Sequence, residues 1–285
     1  MQLQINKAKM NSGRIEIDKM NSNQIEINKI SDQVYILKDK AEYCSNLVIG
    51  TERALLFDTG AGIEDLRGTV ETLTRLPLLV INSHGHFDHV GGNYQFDTVY
   101  LRREDMPFLD MYTQETVQNW IRHLAPYENL KEHPEGFRTW DNTKPLEFEE
   151  FNLGNLECKV ISLQGHSKGS VGIFIPELKL LLSGDALTPV MCMMFPEHMS
   201  LEAQRETLEK AQSLEITHFL TSHHTKSFDR SIITRMITCI DHAAKGRWGH
   251  GYQYPFPPFT KGKMYVDSIE DEPVALIVEE EYPVN

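Results

Sequence analysis

Four short stretches near the start of the chain alternate apolar and polar side chains: LQINK from Leu3, IEIDK from Ile15, IEINK from Ile25 and VYILK from Val34. A period of two is the pattern of a half-buried strand, and the intervening NSG and NSN supply turn residues. The pattern predicts a β-meander whose last copy enters the main domain, with residues 1–30 as an N-terminal β-strand extension. Its early copies extend a sheet edge or take part in a homo-oligomer contact; an alternating strand by itself carries no chemistry.

From Cys44 the chain reads as strand, turn and strand through SNLVIG and TERALLFDTGAG. Ile63 to Leu76 reads as a helix and LLVIN, after Pro77, as another strand, an order that predicts α/β layers. Residues 102–140 read as a mostly helical, aromatic-rich insertion that either covers a site as a lid or simply packs. LECKVISL and GIFIPELKLLLSG read as strands, Leu201 to Leu214 as a helix, and THFLTSHH as a strand ending in histidines. Ile232 to Lys245 reads as a helix, WGHGYQYPFPPF as a loop and PVALIVE as a late strand. Met191, Met193 and Met194 either line a pliable apolar pocket or pack in the core. No low-complexity linker divides the chain, so residues 1–285 are expected to form a single domain.

Charge narrows the partners. With 28 basic and 41 acidic residues the formal net charge is −13, which opposes nonspecific binding to nucleic acid or anionic lipid. No run of about 18 apolar residues suggests a membrane span, and the opening segment lacks the apolar core of a signal peptide. Cys44, Cys158, Cys192 and Cys239 are isolated and read as reduced thiols of a cytoplasmic protein.

Candidate chemistry concentrates in INSHGHFDHVGGN, residues 81–93, where His84, His86, Asp88 and His89 crowd the end of an apolar run. Imidazole nitrogen and carboxylate oxygen suit zinc and other borderline metals. In a turn after a strand, His84 and His86 can serve one side while Asp88 and His89 serve the other. Gly85, Gly91 and Gly92 would let the backbone fold tightly there. A polar loop capped by Asp88 leaves unexplained why three of 12 histidines fall within six positions. Further candidates end later strands: His166 in SLQGHSKGS, Asp185 in LLLSGDAL, and His223 and His224 in HFLTSHHT. Each alone reads equally as a loop, cap or packing residue. Their common place at strand C-termini, where α/β sheets gather their sites, raises them together.

In this order and spacing HGHFDH, GHSKGS, SGDAL and TSHH resemble the metallo-β-lactamase superfamily, whose signature opens with HxHxDH, and its glyoxalase II-like hydrolase branch. The resemblance runs from about Val34 through His224 and implies a four-layer αββα sandwich. It also implies two divalent metal ions, zinc first, with iron or manganese as alternatives. One would be held by His84, His86 and His166, the other by Asp88, His89 and His223, with Asp185 bridging. FDTG matches a family element and implies that Asp58 orients a ligand from behind. Family members usually end the last strand with a small residue, His and Gly; here Ser222, His223 and His224 follow. His223 is then the ligand, and His224 sits at the rim as a candidate proton donor.

Two ions about 3.5–4 Å apart can share a hydroxide and polarise a carbonyl, so no GxSxG-like nucleophile is needed. The expectation is a dinuclear metal-dependent hydrolase, its metal-bridging hydroxide cleaving a small, partly apolar ester, thioester, lactone or amide. Asp88 would accept a proton as well as bind metal. The segment after His223 does not resemble the helical glutathione-binding domain of glyoxalase II, which argues against a glutathione thioester. An alternative from the same superfamily is a persulfide dioxygenase-like oxidoreductase, with a mononuclear non-haem iron on His84, His166 and Asp185. A noncatalytic metal-binding protein is disfavoured by the intact ligand set.

Overall fold

The central strands are buried on both faces, and for that reason they read as unbroken apolar runs instead of alternating ones. The computed structural model describes residues 25–112, 140–246, 249–253, 261–267 and 273–280. A seven-stranded sheet runs in sequence order. It comprises β1 (Glu26–Lys29), β2 (Val34–Lys38), β3 (Cys44–Ile49), β4 (Ala54–Phe57), β5 (Leu78–Ile81), β6 (Val99–Leu101) and β7 (Thr143–Pro145). Its first four strands pair antiparallel, and β4 through β7 pair parallel.

A six-stranded sheet contains β8 (Glu150–Asn152), β9 (Glu157–Ser162), β10 (Val171–Ile175) and β11 (Leu180–Gly184), then β13 (His218–Thr221) and β14 (Phe228–Asp229). Within it β11 and β13 run parallel. The strand between them in sequence, β12 (Val190–Met193), leaves for a third sheet with β15 (His250–Gln253), β16 (Lys261–Val266) and β17 (Ala275–Glu279). The described helices are α1 (Leu66–Leu73), α2 (Phe87–Val90), α3 (Met106–Leu109), α4 (Leu201–Ser213) and α5 (Ile232–Ala244).

Alternation along each strand sorts its side chains between layers. Leu55 and Phe57 of β4 meet Ile173 of β10 and Leu182 of β11 in the core between the two large sheets. Their neighbours Ala54 and Leu56 point the other way, onto Leu66 and Val70 of α1. On the far side of the second sheet, Leu181 and Phe219 pack with Leu208 of α4 and with Met236 and Ile240 of α5. Helix, sheet, sheet and helix therefore stack as the four-layer αββα sandwich.

Several expectations are refined. IEINK and VYILK form the β1–β2 hairpin, with Ile27 opposite Leu37; the copies at Leu3 and Ile15 lie outside the described residues. α1 starts later than Ile63 because the Asp65 carboxylate accepts from Gly68 N at 2.7 Å and caps the helix there. Of the expected insertion, a 3-10 turn at Arg103–Asp105 and the single turn of α3 are seen, and residues 113–139 lie outside the described residues. His250–Gln253, expected as loop, is strand β15. It is mostly exposed, so its sequence carries no apolar period, and its pairing with β16 supplies the order. Met191 and Met193 belong to the helix-side core and are fully covered, so they pack instead of lining a pocket. No described helix is long and apolar enough to cross a membrane. All four cysteines are free thiols.

Candidate metal centre

The strands of both large sheets end at one edge, and the polar residues that follow them meet there. After β5 the chain turns through His84 and His86 into α2, a single turn that carries Asp88 and His89. Asn82 Nδ2 and Thr59 Oγ1 both donate to the His89 carbonyl, at 2.8 and 3.0 Å, and fix that turn to the end of β4. His166 follows β9, Asp185 follows β11 and His223 follows β13. The glycines let the backbone fold tightly as expected, though none of Gly85, Gly91 or Gly92 adopts a left-handed φ. They are needed for close approach, since a Cβ on Gly91 would lie 2.6 Å from the Ala61 carbonyl and one on Gly92 2.4 Å from that of Thr59.

Three ligand groups result, each with its donor atoms within 4.8 Å of one another: His84, His86 and His166; His84, His89 and Asp185; Asp88, His89 and His223. Asp185 lies between the outer two. Its Oδ1 is 3.0 Å from His223 Nε2 and 3.5 Å from His89 Nε2, and its Oδ2 is 3.8 Å from His166 Nε2. Asp88 Oδ2 stands 3.6 Å from both His89 Nε2 and His223 Nε2. All seven side chains are at least half buried, and His84, His89 and His166 almost wholly so.

Each of four histidines has a partner behind it that selects the nitrogen turned inward. Ser83 Oγ lies 2.9 Å from His84 Nδ1, and Asp58 Oδ2 lies 2.8 Å from His89 Nδ1. The Cys192 carbonyl accepts from His166 Nδ1 at 2.9 Å. The Glu197 carboxylate accepts a hydrogen bond from His86 Nε2. His86 Nδ1 and His166 Nε2 are thereby left as lone-pair nitrogens that face each other across 3.0 Å. His84 Nε2 and His89 Nε2 are buried without a hydrogen-bond partner. Buried polar atoms of this kind are costly unless a cation or proton joins them. The residues fit divalent metal ions: the donor set is imidazole and carboxylate, as zinc and its neighbours accept, and its histidines are braced from behind.

Electrostatics point the same way. Burial lowers His84 well below the ordinary imidazole value, helped by His89, His86 and His166, and burial takes His166 down to about 4. Burial also opposes the proton on His89 and His223, but the carboxylates of Asp185 and Asp88 outweigh it and raise both. Burial would raise Asp185, yet the positive His223 and His89 hold it well below the usual carboxylate range. Without an ion, protons on His89 and His223 balance the two carboxylates, and binding an ion would displace them.

His224 lies outside these groups. Its Nδ1 is 2.9 Å from Thr221 Oγ1, and its ring packs edge-on against Phe228 at 4.8 Å. Burial, with His223 nearby, lowers it to about 4, so it is neutral at neutral pH. Glu197 was missed by the sequence reading, as was Phe195, whose ring stands edge-on to His86 at 5.0 Å. Both lie in the turn after β12, where no metal-ligand spacing flags them. The one available signal was their place in FPEHM, directly after an apolar run.

Residues 41–101, from β3 through the histidine-rich turn to β6, match the sequence profile of the metallo-beta-lactamase superfamily. The human acyl-coenzyme A thioesterase MBLAC2 is 30% identical over 161 residues, covering 50% of this chain and 57% of that protein. The chain thus spans little more than half the length of this relative. The probable metallo-hydrolase YqgX of Bacillus subtilis (strain 168) is 26% identical over 145 residues, covering 49% and 64% of the two chains. Among solved structures, a metallo-beta-lactamase from Pontibacter korlensis superposes with a TM-score of 0.55 at 18% identity, over 76% of this chain and 99% of that one. That likeness concerns the fold alone, and it agrees with the four stacked layers. Over residues 41–101 by sequence, and in its fold, the chain is similar to the metallo-β-lactamase superfamily.

Proposed function

We propose that this protein is a metal-dependent hydrolase acting on a small ester or thioester, with two divalent ions at the edge of the sandwich. The observation that carries this reading is the pair of lone-pair nitrogens, His86 Nδ1 and His166 Nε2, facing across 3.0 Å beside the buried, unpartnered His84 Nε2. His84, His86 and His166 would hold one ion, and Asp88, His89 and His223 the other, with Asp185 reaching both. Bound there, the ions would supply activation of water and polarisation of the scissile carbonyl. The assembled second group is what favours two ions over the one-iron oxidoreductase reading.

The chain's own residues do the remaining work. Asp58, Ser83, Glu197 and the Cys192 carbonyl orient four imidazoles so that their other nitrogens face inward, that of His89 becoming free once an ion displaces its proton. Asp88, whose Oδ2 lies 3.6 Å from two histidines, would accept a proton from the attacking water as well as bind metal. The proton-donor role expected of His224 gains no support from its placement, because its ring turns to Phe228 and burial leaves it without an imidazolium proton at neutral pH. A thiolate leaves readily without a proton donor, and the human relative is named as an acyl-coenzyme A thioesterase. Thioesters of acyl groups are therefore the first substrates to try.

The test is metal content of protein purified without added metal or chelator, followed by a panel of acyl thioesters, esters and lactones. Two zinc ions per chain, with hydrolysis lost on chelation and restored by zinc, is the expected result. Absence of metal and of turnover would reject the reading. One iron with oxygen-dependent sulfur oxidation would replace it by the alternative.

A further inference from the structure

The three-histidine group is assembled from two loops that are far apart in sequence: His84 and His86 follow β5 of the first sheet, and His166 follows β9 of the second. Something must set the distance between those loops. One backbone bond does so on the strand side, where Val171 N donates to the Ser83 carbonyl at 2.9 Å. On the other side the Asp105 side chain lies between them.

Asp105 is wholly buried. Its Oδ2 accepts from Gly85 N at 3.0 Å, between the first two histidines, and from Ser167 Oγ at 2.6 Å, next to the third. Its Oδ1 accepts from Gly169 N at 2.7 Å. Three donors from two loops thus converge on one carboxylate. Both loops carry glycine where they touch it: a Cβ on Gly85 would lie 2.8 Å from the Asp105 carbonyl oxygen, and one on Gly169 2.5 Å from its carboxyl carbon. A carboxylate is the side chain suited to this place, because it accepts only and offers lone pairs on both oxygens.

We infer that Asp105 is the positioning residue of the three-histidine site, a carboxylate tie that fixes His84 and His86 relative to His166. The inference rests on the metal-centre reading above and adds to it a residue with no direct contact to the ions. It explains why the GHSKGS loop needs Ser167 and Gly169 as well as its histidine. An amide at position 105 keeps the size but turns N–H groups toward at least one of the three donors. One loop is then released.

The test uses the full chain, depleted of metal and titrated with cobalt(II), in Asp105→Asn, Ser167→Ala and His84→Ala. Each is also made in a His223→Ala background, so that the three-histidine site is read alone. Absorption bands in the visible report the coordination geometry, and chelator competition reports the affinity. Asp105→Asn should weaken cobalt at this site about 10–100-fold and change the band shape, the usual effect of losing a partner behind the ligands. Ser167→Ala should do the same to a smaller degree, and serves if the first variant fails to fold. The other site, read with His223 intact, should keep its affinity.

Unchanged affinity and spectrum in Asp105→Asn and Ser167→Ala, with cobalt lost in His84→Ala, would overturn the inference while leaving the metal centre standing. Equal loss at both sites in parallel with the fold would also overturn it, since that is the mark of a general structural role. If His84→Ala itself loses no cobalt, the metal-centre reading fails and the inference falls with it.

Discussion

Asp58 Oδ2 lies 2.8 Å from Nδ1 of His89, joining the end of β4 to the histidine-rich turn after β5. The same carboxylate takes Ser83 N at 2.6 Å, Ser83 Oγ at 2.9 Å and the Ser222 hydroxyl. Asp58 adopts a left-handed φ of 67°, sparsely populated for a residue with a side chain, and its hydrogen bonds hold it there. The end of β4, the turn after β5 and the end of β13 are thus drawn to one buried charge.

Asp58→Asn should therefore loosen the metal group that contains His89. An amide cannot accept from all four donors, so one is left facing an N–H. Affinity of the Asp88, His89 and His223 group should fall about 10–100-fold by chelator competition. Affinity equal to the wild type would show that Asp58 merely packs.

Asp185 reaches both ligand groups, and His84 belongs to the three-histidine group. Metal analysis should find two ions per chain in the wild type, one in His84→Ala, and weakened binding of both in Asp185→Ala. Retention of two tightly held ions in Asp185→Ala would remove it from the bridging position.

Glu197 separates hydrogen bonding from charge. Glutamine at this position still accepts from His86 Nε2, and alanine does not. Glu197→Ala should lower metal affinity and turnover by at least about 10-fold, with Glu197→Gln close to the wild type. If both variants lose equally, the charge of Glu197 matters more than the orientation of His86.

Asp39 supplies a pH dependence away from the ligands. Its carboxylate accepts from Tyr43 N at 2.9 Å and Ala61 N at 3.0 Å beneath the FDTG turn. Burial, with the nearby Glu64 adding repulsion, lifts it from 3.8 to about 7. A carboxyl raised in the folded state contributes stability that is complete below its unfolded value and lost as pH rises through its folded value. The wild type should accordingly lose up to a few kcal/mol relative to Asp39→Asn between about pH 4 and pH 8. Urea denaturation of the metal-free chain across that range would show parallel curves if Asp39 ionises freely.

Leu182, fully buried between the two large sheets, tests the core. Leu182→Ala should cost roughly 2–5 kcal/mol, by loss of transfer energy and by leaving a cavity between the sheets. Urea denaturation measures it. A loss below about 1 kcal/mol would mean that the sheets close up around the gap.

The candidate ligands were legible because their chemistry is local. HGHFDH packs four side chains able to bind metal into six residues, and GHSKGS, SGDAL and TSHH each follow an apolar run, which raised them together. Asp105 and Glu197 were not legible. A lone carboxylate among 41 acidic residues has no spacing to betray it, and its role depends on what lies across from it in space. His224 shows the converse: it stands beside His223 in sequence, yet in the turn after β13 its ring packs against Phe228.

The chain by itself predicted α/β layers from its order of apolar runs and helical stretches, and its resemblance to a known family implied their four-layer stacking. It also determined which residues could bind metal, since few side chains have that chemistry and these are clustered. Only the tertiary structure decided which nitrogen of each imidazole turns inward, and which carboxylate braces or ties the loops. It also joined β12 to β17, and so consigned Met191 and Met193 to the core. Those outcomes depend on contacts between segments tens of residues apart, and such contacts are fixed by packing the layers together.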